Sequence, residues 1–329
     1  MKKEIRAIEF SVDSLFKELD SLAEKGVTEV FVHDVSLSKN KAELLRLLSA
    51  VEKLDFPLFV SLLTDACALD RELCARASEL SCSLEVPLLC QQKGDALLFD
   101  RHLYAKKAAL LNQAGAVFGF DMDWASQPGD RAKLFRERLD FAVDQYPNHI
   151  NFRQLEDRSV QKGTAVFSSR DMELCRDIAF ACQTFYSEGR AVAWFKSVLE
   201  SLRIKPSSFF ADFAEWQRCN NCSIENDFNP YETPHGEIEK MQLVFLEQKY
   251  EEKNRSSMFE AVRDLIVLNG AFSRLVAEGE ESVIHLSYSP DDLLSPSACD
   301  IASFCDSVPM EDSEVKVYNA GDCPDYRIL

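Results

Sequence analysis

Acidic and polar side chains that follow short apolar runs are the residues of this chain best placed to do chemistry. Asp121 and Asp123, in AVFGFDMDWA, are two positions apart. In extended backbone that spacing turns both carboxylates to one side of a strand, an arrangement suited to a divalent cation or to paired acid–base work. Arg153, Gln154 and Glu156 follow HINF, and Arg153 is expected to be able to neutralise the aspartate pair. Asp34 and Ser36 follow EVFV, Thr64 and Asp65 follow FVSLL, and Glu85 lies in SCSLEVPLL. His33 faces away from Asp34 along an extended segment and is expected to pack against a helix. A carboxylate at a strand end is often only the cap of the next helix, so that plainer role stands beside the chemical one at each position.

The eleven cysteines are spread along the chain with no dense framework, which fits small buried hydrophobes in a reducing compartment better than disulfides. Cys67, Cys74, Cys82 and Cys90 recur at intervals of seven or eight but fall in different elements of one βα unit. Cys219 and Cys222 have the two-residue spacing of a zinc or redox pair without a second pair nearby, so His235 or Cys299 would complete a site only through tertiary contact. The glycines form neither G-x-G-x-x-G nor G-x4-G-K-[ST], which removes the common phosphate cradles.

These residues need a scaffold, and the apolar periodicity predicts one. Ser11–Gly26, Lys39–Leu54, DRELCARASEL, Asp100–Gly115 and PGDRAKLFRERLDFAVDQYP carry apolar residues at i, i+3, i+4 and i+7, the stripe of a helix. Between them lie short strands that are apolar almost throughout. That alternation predicts an α/β fold with a parallel sheet covered by helices; an open or closed barrel and a doubly wound sheet both satisfy it. Residues 1–160 are therefore expected to form a partial, open parallel β/α barrel of about five βα units. Residues 161–329 are expected to be mainly helical, with a loop near 219–236 and a tail made of one strand and a loose acidic end. The aromatics from Phe180 to Trp216 recur at helical spacing and are expected to be packing core.

The net charge of −18 argues against a nucleic-acid surface, which needs clustered Lys and Arg. No run of about 18 apolar residues is present to span a membrane, and the amino-terminal residues lack a signal-like apolar stretch, so the expectation is a cytoplasmic protein. The strand VTEVFVHDV is an edge that a protein partner or a second copy of the chain is expected to cover.

The stretch from DRHLYAKKAALLNQAG through HINFRQLE resembles the second half of a radical S-adenosylmethionine barrel: a helix ending in Ala-Gly, a strand ending in Asp, a Pro-Gly-acid turn, a helix and a further strand. VTEVFVHDVSLSKNKAELLRLLSAVEKLDFPLFVSLL is similar to that superfamily's second strand, helix and third strand. FFADFAEWQR and HLSYSPDD resemble the carboxyl-terminal extension of its cobalamin-binding subgroup. The resemblance covers about residues 8–220, and it rests on the order and spacing of individually soft motifs. It implies S-adenosylmethionine, a [4Fe–4S] cluster and cobalamin as cofactors. It also implies contacts to the cofactor or substrate from Asp34, Ser36, Glu85, Asp121, Asp123, Arg153 and Gln154.

Two departures accompany it. The cluster of such enzymes is held by C-x3-C-x2-C, and this spacing occurs nowhere in the chain; KKEIRAIEF aligns just past that loop, so the first strand and the cluster loop are expected to lie outside this sequence. Ser126-Gln127 stands where the family has Gly-Leu before the proline. Three readings follow: a cluster-free member acting as a binding or accessory protein, the carboxyl-terminal part of a split or truncated enzyme completed by another polypeptide, or a metal-dependent hydrolase or lyase using strand-end carboxylates.

Overall fold

The protein is described by a computed structural model covering residues 14, 18, 21–22, 25–54, 56–94, 96–155, 167–321 and 323–329. The expected helix over Ser11–Gly26 and the candidate Glu156 lie largely or wholly outside these residues. Contacts divide the chain into two compact units, residues 1–89 with 100–121, and residues 90–99 with 122–329.

The first unit alternates as the periodicity predicts: β1 (Glu29–Val32), α1 (Val35–Ser38), α2 (Lys41–Val51), β2 (Phe59–Leu63), α3 (Arg71–Ser78), β3 (Cys82–Pro87), α4 (Arg101–Ala114) and the start of β6 (Phe118–Met122). Helix α2 begins where the Asn40 side chain accepts the Glu43 N–H, and it buries Leu44, Leu47, Leu48 and Val51, one stripe of its surface. Helix α4 stops at Gly115, whose φ of 69° closes the last turn.

The five-stranded sheet has the order β1-β2-β3-β6-β7, with β7 at His149–Phe152. Neighbours in the sheet are neighbours in sequence apart from a hairpin, β4 (Cys90–Lys93) and β5 (Ala96–Phe99), and the order never reverses. A doubly wound sheet requires such a reversal, so the strand order selects the segment of an open barrel. In the parallel registers, Val60, Cys82, Leu84 and Phe118 fall on one face, and Cys82 Sγ lies 3.2 Å from Ala77 O of α3, which identifies the helix-covered side. Ser61, Ser83, Glu85 and Asp121 fall on the opposite face.

The second unit contains the antiparallel hairpin β4 (Cys90–Lys93) and β5 (Ala96–Phe99), α5 (Ala132–Asp144), β7, and the helices α6 (Ser169–Cys182), α7 (Phe195–Leu202), α8 (Pro206–Cys219), α9 (His235–Glu252) and α10 (Phe259–Glu278). Their core is aromatic, as the spacing predicts. Phe185 has Trp194, Phe195, Phe209, Phe213 and Phe245 around it at centroid distances of 4.9 to 6.3 Å, mostly edge-on.

Helix α6 runs into a π-helix, Gln183–Glu188. The carbonyls of Phe185 and of Gly189 just beyond its end are met by the buried Gln242 amide at 2.7 and 2.9 Å. A Cβ at residue 189 would lie 2.1 Å from that amide nitrogen and 2.2 Å from Phe185 O, so only glycine fits there. The π-helix also finishes the edge of the parallel sheet. Ser187 Oγ accepts the Ile150 N–H at 3.0 Å and donates to Ile150 O at 3.1 Å, and Tyr186 donates its hydroxyl to Pro147 O. One hydroxyl thus does what a neighbouring strand would do at that residue.

The tail differs from expectation. Instead of one strand and a loose end, β8 (Ser282–Leu286), β9 (Ser313–Ala320) and β10 (Cys323–Ile328) form an antiparallel sheet, with short helices α11 (Pro290–Leu293) and α12 (Ile301–Ser307) between the first two strands. The alternation in SEVKVYNA explains it. Val315 and Val317 of β9 and Ile284 and Leu286 of β8 are buried while Glu314, Val283 and His285 face solvent, so each of these two strands has one apolar side to bury.

Candidate functional site

The polar strand ends separate into two groups, one in each unit. In the first, Glu85 and Asp121 occupy adjacent strands on the face opposite the helices, two residues out of register: Glu85 pairs with Gly119, and Asp121 with Pro87. Strand spacing and rise place their Cα atoms about 8 Å apart. Both side chains are buried, and Glu85 Oε1 accepts the Ser83 hydroxyl at 2.7 Å. Ser61 and Ser83 face each other across β2 and β3, so this face carries a buried line of two serines and two carboxylates. The serines were not singled out by sequence. The signal was present as one serine inside each of two mostly apolar strands.

The other first-unit candidates serve the backbone. Asp34 caps α1 by accepting the Leu37 N–H at 2.7 Å, and Ser36 is exposed on that helix. Asp65 Oδ1 accepts the Cys67 N–H at 2.8 Å. Thr64 is buried, donates its N–H to Glu85 O at 2.8 Å and its hydroxyl to Leu62 O at 3.1 Å. His33 corrects an expectation: it is exposed, with its ring edge-on to the exposed Phe31, because β1 ends at Val32 and the chain has left the sheet.

In the second unit, Asp123 and Gln154 converge on the loop after β6. Arg138 of α5 is almost wholly buried; its Nη1 lies 3.1 Å from Asp123 Oδ1, its Nη2 donates to Asp123 O at 2.6 Å, and the same nitrogen is 3.7 Å from Asp130 Oδ2. Asp130 accepts the Ala125 and Arg131 N–H groups at 2.7 and 2.9 Å, and this holds Ala125 at a φ of 54°. Burial pushes the Asp130 carboxyl up, and the Arg138 guanidinium pulls it back. Gln154 donates to Trp124 O at 2.7 Å. Ser126 donates to Asp123 Oδ2 at 2.5 Å and Gln127 reaches toward Cys90 O at 3.5 Å, so Ser126-Gln127 builds its own bonds into this loop.

One further expectation is corrected here. Asp123 lies past the end of β6 and is paired with Arg138, so the two aspartates do not present as one strand-borne pair. Arg138 pairs with Asp123, and Arg153 is exposed at the end of β7. Arg138 and Asp130 were missed by sequence, yet Arg138 sits on the buried stripe of α5 three residues after Phe135, where a charge requires a partner.

The implied [4Fe–4S] cluster does not fit the donor set. Three thiolates in C-x3-C-x2-C spacing are absent from the sequence, and most of the cysteines are buried singly, where burial raises their thiols, Cys74 to about 11, Cys82 to about 12 and Cys222 to about 11. Among the described residues no three His, Cys, Asp or Glu side chains converge as metal ligands, the Cys67-to-Cys90 series and the Cys219–Cys222 pair included.

No protein-family profile matches the chain, and no curated protein matches it. Among solved structures it is similar to the radical S-adenosylmethionine methyltransferase TsrM from Kitasatospora setae. With the form that holds tryptophan substrate and an aza analogue of S-adenosylmethionine, the TM-score is 0.34 at 15% identity, over 44% of this chain and 30% of that one. With the form that holds cobalamin and a [4Fe–4S] cluster, the TM-score is 0.35 at 15% identity, over 44% and 29%. The chain thus matches less than a third of the length of those enzymes.

Proposed function

We propose that this polypeptide is a binding or accessory protein built on a radical-enzyme-type barrel segment, and that alone it does not cleave S-adenosylmethionine. The observation that carries this reading is the missing ligand set: the sequence contains no C-x3-C-x2-C triplet, and among the described residues no three His, Cys, Asp or Glu side chains converge. The strand-end carboxylates support it from another side. Asp34 and Asp65 hold backbone N–H groups, and Asp123 and Asp130 hold Arg138, so each already carries a structural duty. The exposed Phe31 of β1 and Val35 at the start of α1 supply apolar surface for a protein partner there.

Anaerobic incubation with iron and sulfide tests the reading, followed by absorbance at roughly 400 nm, where thiolate-ligated clusters absorb, and by assay for cleaved S-adenosylmethionine. The expected result is neither cluster nor cleavage. A stable cluster on the isolated chain overturns the proposal, whereas a cluster formed only with a second polypeptide identifies a split enzyme. A second reading, a metal-dependent hydrolase or lyase, draws on Glu85 and Asp121 sharing one sheet face. Tight divalent-cation binding that disappears in Asp121→Ala would favour it.

A further inference from the structure

Strand β10 is the outer strand of the carboxyl-terminal sheet, and among the described residues nothing pairs with its far side. Leu329 N–H donates to Glu314 O at 2.9 Å, next in register to the Ile328–Val315 pair. Antiparallel peptide groups alternate in direction. Leu329, Arg327, Asp325 and Cys323 therefore turn theirs toward β9, and Ile328, Tyr326 and Pro324 turn theirs outward. The outward Tyr326 N–H is met only by the neighbouring Asp325 carboxylate, at 2.8 Å.

The sequence of this edge is self-complementary about Tyr326. Reversed against itself with Tyr326 on a two-fold axis, Asp325 faces Arg327 twice, Pro324 faces Ile328 and Cys323 faces Leu329. The backbone fits the same register. Tyr326 exchanges both hydrogen bonds with its symmetry mate, and Ile328 N–H reaches Pro324 O, so the missing proline N–H leaves only the Ile328 carbonyl without a strand donor. The two adjacent symmetric registers place Asp325 against Asp325 or Arg327 against Arg327, and like charges directly opposite are unfavourable. Tyr326 is already fixed for this role: its hydroxyl donates to Asp291 and its ring meets Phe272 edge-on at 6.1 Å, so the strand is held in place before a partner arrives.

We propose that β10 is a homotypic docking edge, where a second copy of this chain adds its own β10 antiparallel and extends the sheet from three strands to six. The partner is selected by the Asp325–Arg327 pairs that fix Tyr326 on the axis. This inference is independent of the function proposed above, because it uses none of the thiols or barrel residues. A six-residue edge buries less than a standard interface, so association is expected at high protein concentration.

The test is sedimentation equilibrium of the full chain across a wide concentration range, on the wild type, Asp325→Arg, Arg327→Asp and the double exchange. Each single variant sets like charges opposite one another at two places and is expected to weaken the dimer about tenfold or more, while the double exchange restores it. Arg327 also lies 5.7 Å over the Tyr318 ring of its own chain, so Asp325→Arg is the cleaner single change. As an independent readout, Tyr326→Cys is expected to give a disulfide-linked dimer under mild oxidation that the wild type does not, since a hydrogen-bonded antiparallel pair spaces its Cα atoms by about 5.5 Å. A chain that stays monomeric throughout, or a dimer indifferent to all four sequences, overturns the proposal.

Discussion

Acidification should reach this protein through His235. The imidazole is buried at the start of α9, with Nδ1 3.2 Å from Arg274 Nη1 and Nε2 3.4 Å from Gly189 O. A carbonyl only accepts and a guanidinium only donates, so the proton sits on Nε2 and the ring is neutral. Arg190 and Arg274 face it; Glu239 is held by Arg274 at 2.6 Å, and Glu278 by Arg190 at 2.8 Å. Burial first, then the two arginines, depress its pKa from 6.5 to about 4. A depressed histidine means that the unfolded chain binds the extra proton first, so stability is fully present above pH 6.5 and is lost as pH falls toward 4. Between pH 7 and pH 5 the linkage amounts to about 2 kcal/mol. His235→Gln cannot take up that proton. Urea unfolding at both pH values should give a wild-type loss exceeding the variant's by about that amount; equal losses in the two proteins would refute the argument.

Three further outcomes are expected. Arg138→Met should cost about 3–5 kcal/mol in urea unfolding, because it leaves the Asp130 carboxylate buried without its cation; adding Asp130→Asn should recover part of the loss, and a cost under about 1 kcal/mol for the single change would show the pair to be incidental. Ser187→Ala should cost about 1–3 kcal/mol, since it strips Ile150 of both a donor and an acceptor, and amide exchange at Ile150 should speed up correspondingly. Native labelling with a thiol reagent at mild alkaline pH should find the four exposed cysteines, Cys67, Cys219, Cys299 and Cys323, ahead of the six buried ones, with Cys67 slowed by Asp65. Prompt labelling of Cys82 would contradict its burial.

The barrel segment was legible because its two signals are strong: helices with one apolar stripe, and short strands apolar almost throughout. The strand order then excluded the doubly wound alternative, which periodicity alone could not do. The hairpin of β4 and β5 was missed although CQQKGDALLF carries a glycine turn, because a parallel βα reading treats that stretch as connection. In the tail, the period-two pattern around Val315 and Val317 was outweighed by acidic composition. The π-helix has no local signature; it depends on Gln242, far along the chain, reaching the Phe185 and Gly189 carbonyls. At the site, sequence located the strand-end residues but could not say which carboxylates were occupied. Asp34 resolves into a helix cap, while the group around Asp123 is organised by Arg138, visible in advance only as a charge on an apolar stripe.

The hydroxyl of Ser187 also sets a schedule. The outer edge of β7 is finished by a residue 37 positions further along the chain, so a ribosome that has just released β7 has not yet made its cover. At about 5–20 residues per second, the interval is roughly 2–7 s, during which Ile150 presents an open donor and acceptor to any neighbouring nascent strand. Codon usage or pausing over α6 would lengthen that interval without altering the finished protein. Yield of correctly folded chain should therefore depend on translation speed through this helix more than through the aromatic helices beyond it.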